Sequence, residues 1–416
     1  MTQPQPHPTI HRHEFVAFVA AIMAVNALGV DLMLPALPAI GHDLHVGSPN
    51  HRQWIITVYM LGFGLGQLVY GPLADRLGRR PVLLATLAGF AGASVFAASS
   101  ATFTALLAAR VLQGLFSAST RVLSVAIVRD SYSGRQMARI SSIAQMVFFL
   151  VPILAPTIGQ GLLALGPWRF IFYVLAGFAL CVLVWSGLRL PETLPPERRR
   201  SIAPRALFGA YREILTNRFT MGYAIAGSMT FGAIIAFVSS APQVFTDTFH
   251  AGARFPLLFG ICATMMASAS FLNSRLVERL GTRLISQSAI LILIALSCVH
   301  IAVTRLGFET LWTYVAFQGL SMTCVGLCGA NFGAMAMEPV GHVAGTASSV
   351  QGFVTSLGAV AVGSAIGQAY DGTTLPLAIG YLCVGLGVLA IVLVVEGGRL
   401  FRPRMAPGAA IGPIVG

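Results

Sequence analysis

A charge-dense link of fourteen residues, Gly71-Pro72-Leu73-Ala74-Asp75-Arg76-Leu77-Gly78-Arg79-Arg80-Pro81-Val82-Leu83-Leu84, joins two long apolar segments and returns, weakened, half a chain later. Leu73-Ala74-Asp75-Arg76-Leu77-Gly78-Arg79-Arg80 stands against Leu276-Val277-Glu278-Arg279-Leu280-Gly281-Thr282-Arg283, 203 residues on in a chain of 416. An acid, an Arg, a Gly and an Arg recur in order. Other matches keep nearly the same offset. Pro38-Ala39-Ile40-Gly41-His42-Asp43 faces Pro242-Gln243-Val244-Phe245-Thr246-Asp247 at 204, and Leu112-Gln113-Gly114-Leu115 faces Phe317-Gln318-Gly319-Leu320 at 205. Gly134 and Ser141-Ser142 face Gly341 and Ser348-Ser349 at 207. The chain is a duplication, and each half must fold as a copy of the other.

The apolar stretches decide the solvent. With 56% hydrophobic and only 10% charged residues, the chain falls far below the roughly one-quarter charged composition of soluble domains and reads as a polytopic membrane protein. A formal charge of +12 would suggest nucleic acid in a soluble protein. Here the basic residues, all Arg, sit in short loops between apolar runs, so no nucleic-acid partner is expected. The six cysteines fall inside apolar segments, and Cys324 and Cys328, one turn apart, have no His or acidic neighbours to complete a metal site. No metal is expected. Met1 to Glu14 is polar and lacks the short apolar core of a secretory signal.

About 20 apolar residues cross the hydrocarbon. On that rule the sequence predicts twelve crossings, near 15–40, 53–74, 81–99, 103–128, 139–164, 168–190, 218–245, 255–275, 284–304, 310–334, 343–370 and 375–400. The fold class is therefore all-α, with two pseudo-symmetric halves of six helices each. The N-terminal half covers 1–190, a Pro- and Arg-rich cytoplasmic linker 191–217, the C-terminal half 218–400, and a cytoplasmic tail 401–416. Loops on one side carry twenty Arg and those on the other four, which places both termini in the cytoplasm of an inner-membrane protein.

Two parallel six-helix halves match the plan of secondary transporters of the major facilitator type. Gly71-x-x-x-Asp75-Arg76-x-Gly78-Arg79-Arg80 resembles the loop signature of that superfamily, and Arg110-Val111-Leu112-Gln113-Gly114 resembles the fourth-helix motif of its drug:proton antiporters. Asp31-Leu32-Met33-Leu34-Pro35-Ala36-Leu37-Pro38, Val128-Arg129-Asp130 and the run Met337 to Ala347 are similar to the Bcr/CflA branch. The resemblance implies the fold, proton antiport and multidrug efflux. In the fifth helix, Ala155-Pro156-Thr157-Ile158-Gly159-Gln160-Gly161 departs from the Gly-Pro-x-x-Gly-Gly of exporters at large. A kink-and-gate role there would fall to Pro152, Pro156 and Gly159.

Ionisable side chains at membrane depth cost roughly 2.5–3.5 kcal/mol or more, so each needs a reason. Asp31 is the one acid well inside an apolar span, about 13 Å below the outer edge at ~1.5 Å per residue. Arg110 lies about 10 Å deep on the fourth segment by the same measure. The expectation is an Asp31–Arg110 pair that a proton from outside weakens, freeing the site to reorganise; a static tie between helices is the alternative. Arg121, three turns after Arg110 on nearly the same face, either attracts an anionic group, counters the cytoplasmic end of the cavity or snorkels to the interface.

Asn26, Tyr59, Gln113, Gln145, Phe149, Phe231, Phe237, Met265, Met266 and Gln318 complete the expected cavity lining, an adaptable apolar surface suited to amphipathic compounds. Gly71, Asp75, Arg76, Gly78, Arg79 and Arg80 read as a conformational latch, in which Arg side chains bridge an acid and the carbonyl ends of neighbouring helices and breaking those contacts lets the halves rock, with positive-inside anchoring as the alternative; Gly78 permits a tight turn. Glu278, Arg279 and Arg283 are its degenerate copy, and Glu338 is a loop residue. No Walker-type loop is present, so the chain reads as a transporter driven by the proton gradient and not an enzyme. It is expected to act without a cofactor, as a monomer, on a small organic molecule. Export of drugs or metabolites leads; a proton-coupled importer on the same fold, or a receptor that does not transport, are the alternatives.

Overall fold

The computed structural model describes residues 11–132, 134–199 and 204–401. The ten N-terminal residues and most of the expected tail, with Arg402 and Arg404, lie outside that description, as do the side chains of Gln145 and Phe149. Twelve long helices follow in order. They are α1 (Arg12–Asp31), α2 (Trp54–Leu77), α3 (Arg79–Ala98), α4 (Phe103–Ser131), α5 (Gly134–Leu165), α6 (Arg169–Arg189), α7 (Arg218–Gln243), α8 (Phe255–Leu280), α9 (Thr282–Arg305), α10 (Leu311–Met337), α11 (Ala344–Gln368) and α12 (Leu375–Val395). Among the described residues, eleven spans are long and apolar enough to cross a membrane, and Leu150–Leu165 of α5 is a further apolar stretch. In hydrocarbon every backbone polar group needs an internal partner, and helices supply it.

The duplication is visible in the packing. In the first half α2 lies on α4, α3 on α6 and α1 on α5; in the second α8 lies on α10, α9 on α12 and α7 on α11. Across the halves α2 meets α11, and α5 meets α8, the same pairing exchanged. Close approach of α2 and α4 depends on missing side chains. A Cβ on Gly62 would sit 2.1 Å from the Val111 carbonyl oxygen, and one on Gly114 1.9 Å from that of Tyr59. Small residues at such crossings let backbones touch and maximise dispersion contacts where no hydrophobic force acts between helices.

Two local features depart from even spacing of helices. The first crossing, expected as one rod from 15 to 40, stops at Asp31. A 3-10 turn (Leu34–Ala36) and a seven-residue helix (Leu37–Asp43) complete it. Pro35 and Pro38 have no N–H to continue the ladder, so the rod breaks where the buried acid sits. Gly78 and Gly281 both end one helix and begin the next with positive φ, +105° and +79°. That conformation is strained for any residue with a Cβ, so the charged link and its echo make the same turn.

Candidate functional site

The polar centre of the first half lies between α1, α2, α3 and α4. Asn26 on α1 accepts hydrogen bonds at Oδ1 from Tyr59 (3.1 Å) on α2 and from Ser117 (3.3 Å) on α4. Tyr59 is fully buried, its hydroxyl against Gly29, where a Cβ would lie 2.6 Å away. Its ring carries the Arg110 guanidinium 4.3 Å above the centroid, a cation–π contact in a dry setting. Arg110 also donates Nε–H to the Ile55 carbonyl (3.2 Å) and Nη1–H to Gln113 Oε1 (2.8 Å), while Nη2 is buried without a partner. Gln113 passes the chain on by donating to Ser94 Oγ on α3 at 2.7 Å.

Asp31 closes α1 two residues after Gly29. It is 6% exposed and makes no hydrogen bond or ion pair among the described residues. The expected Asp31–Arg110 pair is therefore not formed in this state. Arg110 spends its donors on Ile55 and Gln113, and Tyr59 is the side chain that meets both α1 and the guanidinium. Gly159 of α5 grips the same place, since a Cβ there would fall 2.0 Å from the Leu32 carbonyl oxygen. The helix carrying Gly159 runs on through Pro152 and Pro156.

Several expected cavity residues make helix-packing contacts. Phe237 is buried and stacks on Phe259 of α8 at 5.3 Å. Met265 seats its sulfur over Gly319 of α10, and Met266 lies against Gly326. Gln113 and Gln318 point into their own halves; Gln318 donates to the Tyr381 hydroxyl of α12 at 2.7 Å. Phe231 is half-buried in α7, and Arg121 is exposed on α4.

The charged link ties one half together. Arg79 is 4% exposed and pairs with Asp75 (2.6 Å) and Asp130 (3.0 Å). Glu192, just past α6, accepts from the backbone N–H groups of Arg79 (2.9 Å) and Arg80 (3.3 Å), and Arg80 donates to the Gly187 carbonyl at 2.6 Å. Arg76 is exposed. Among the described residues these contacts stay within one half, joining arginines to acids and to a helix-end carbonyl, while Gly71 faces the other half, 3.0 Å from Ser349 Oγ for a Cβ placed there. The second half repeats the device. Arg283 bonds Glu396 (2.8 Å) and Glu338 (3.4 Å), and Tyr223 donates to Glu396. Arg283, the counterpart of Arg80 in the repeat, thus gathers two acids as Arg79 does in the first half, although Glu396 bonds its side chain where Glu192 bonds backbone N–H groups. Glu338, expected as a loop residue, stands in the 3-10 turn Glu338–Val343 that follows α10 and makes this one long contact to Arg283.

Sequence reading missed the seal at the end of the molecule far from the linker. Gln53 donates to Gln243 Oε1 (2.5 Å) and to the Gly367 carbonyl (2.9 Å). Asn50 donates to the Gln368 and Tyr370 carbonyls and accepts from Gln243, and one turn deeper Thr57 meets Ser364 at 3.2 Å. Above the seal a cleft of about 410 Å³ opens between Asn50, Asp247, Tyr370 and Asp371. Hydrogen bonds from Thr373 hold the Asp371 carboxyl below its usual range.

A family model described as Major Facilitator Superfamily matches residues 19–363. The chain belongs to the major facilitator superfamily. It is accordingly a membrane-spanning transporter of small molecules and not an enzyme. Relatives in this superfamily include an uncharacterised MFS-type transporter, YdgK, of Bacillus subtilis (strain 168), 33% identical over 84% of this chain and 88% of its own. The bicyclomycin resistance protein homolog of Haemophilus influenzae (strain ATCC 51907 / DSM 11121 / KW20 / Rd) is 31% identical over 90% and 94%. Among solved structures of the fold, a D-xylose-proton symporter aligns with a TM-score of 0.74 at 14% identity, covering 94% of this chain and 99% of that one.

Proposed function

We propose that this transporter is a proton-coupled exporter of small organic compounds working by alternating access, with Asp31 as the proton-carrying group. The sealed end is assigned to the outside, in keeping with the loop Arg excess at the other. The observation that carries the reading is the isolation of Asp31. A lone ionised carboxylate in such a place costs several kcal/mol, and binding a proton removes that cost. The side chain sits where α1 breaks and where Gly159 holds the break, so a change in its charge acts on the joint between rod and cap. Tyr59, against Gly29 and under Arg110, passes that change to α4. Among homologues, resistance proteins and a multidrug resistance protein, MdtL of Escherichia coli O17:K52:H18 (strain UMN026 / ExPEC), 29% identical over 81% of this chain and 84% of its own, support export.

The test is a pH gradient across inside-out vesicles bearing the protein and a panel of inhibitory compounds. Acidification of the interior should drive uptake into the vesicles, and Asp31→Asn should abolish the drive at normal expression while exchange without a gradient persists. Full gradient-driven uptake by Asp31→Asn would remove the coupling role. Release of compound under the same gradient would make the protein an importer.

A further inference from the structure

Asp31, Arg110 and Arg121 are the ionisable groups set deepest in the first half, and two of the three are cationic. Arg121 lies ten residues before the end of α4, about 15 Å along the helix. Its face of α4 is fixed by its neighbours. Ser117, one turn earlier, reaches Asn26 of α1, and Ala118 packs where Gly66 of α2 would place a Cβ 2.7 Å away. Arg121 therefore points along the seam of α1 and α2, one turn toward the linker end from where the three helices touch. At that depth α2 is the helix that meets the other half, through Gln67 to Ser356 (2.7 Å) and through Gly71 beside Ser349. Ser117 and Ser124 on the same face are buried, yet Arg121 is exposed. It looks into the space between the halves, on the side away from the seal.

No described carboxylate neutralises it. Asp75 and Asp130 are engaged by Arg79, and Asp31 lies beyond Asn26 at the break of α1. Arg110, three turns further up the same face, keeps one buried Nη2 without a partner. An exposed guanidinium without a carboxylate partner, set between low-dielectric walls, makes that space attractive to an anion. We infer that the transported compound carries an anionic group, a carboxylate or its like, received first by Arg121, with the free Nη2 of Arg110 as the next station. This rests on the reading of the linker end as the side of substrate capture, but not on Asp31 being the proton carrier.

The experiment uses the full chain in detergent and two xanthene dyes of one scaffold, anionic fluorescein and cationic rhodamine 123, followed by fluorescence anisotropy at mildly alkaline pH. The unaltered protein should bind fluorescein the more tightly. Arg121→Gln should weaken fluorescein by on the order of tenfold, as for loss of one charge-assisted contact, Arg121→Lys should keep most of it, and neither should weaken rhodamine 123. Equal binding of the dyes, no binding of fluorescein, or a folded Arg121→Gln that binds it as before would overturn the inference. The dye preference of the unaltered protein decides the matter should Arg121→Gln fail to fold. Because the readout is binding without a gradient, a failure here leaves the Asp31 test standing, and a failure there leaves this one.

Discussion

Gly114 shows how little room the central residues have. Its Cα lies so close to α2 that an added methyl would meet the Tyr59 carbonyl oxygen at 1.9 Å, and that backbone belongs to the residue carrying Arg110 on its ring. Gly114→Ala should cost roughly 1–3 kcal/mol, the range of overpacked cores, read as a lowered melting temperature in detergent, with transport falling further than stability. At this scale the sequence spoke clearly where a residue is expensive. Asp31 and Arg110 stand out because charge in an apolar run demands an account. Tyr59 between them does not, since a tyrosine in a helix has many cheap uses. The absent pair has the same origin: similar depth on two helices says nothing about which donors the backbone and Gln113 have already taken.

Among elements, the turn at Gly78 and its copy at Gly281 were legible because glycine, acid and arginine recur at fixed spacing. The break after Asp31 was also written in the chain, as Pro35 and Pro38, but a hydropathy count runs straight through proline. Glu192 and Glu396, which hold the start of the third helix in each half, lie 204 residues apart and follow the repeat, the first at the start of the stretch that reads as linker and the second within the span expected as the twelfth crossing. A further pair caps the C-terminal end of α9. His300 bonds Glu309 at 2.7 Å, and Thr374 donates to the same carboxylate at 2.5 Å. Burial pulls Glu309 up, but the bonds from His300 and Thr374 outweigh it and hold the carboxyl below its ordinary 4.5. A folded-state value below the unfolded one gives stability that is full above the unfolded value and lost as pH falls through the folded one. Melting temperature should therefore drop as the pH is lowered below 4.5, and Glu309→Gln should flatten that part of the profile.

For the whole molecule, on the proposed alternating-access reading, the seal at Asn50 and Gln53 is the element that opens to the outside, and it is made of neutral amides. Gln53→Ala removes the bonds to Gln243 and Gly367 and should shift the population toward the outward-open state. A Thr57→Cys reporter in a cysteine-free background should then react faster with a membrane-impermeant maleimide added outside; an unchanged rate would show that the seal does not set the balance. Nothing in the sequence announced this seal, because an amide bond across halves needs partners 190 and 314 residues away. The other end carries a different constraint. Leu194 is tied by its N–H to Glu192, while the linker helix (Pro204–Thr216) seats Tyr211 and Ile214 on Val340, Ala347 and Val350 and pairs Glu213 with His342 at 2.9 Å. The leash between the two bodies thus shrinks from the whole linker to about nine residues, ~30 Å at full stretch. On the alternating-access reading proposed above, the covalent length of that stretch bounds how far the two bodies can part at this end.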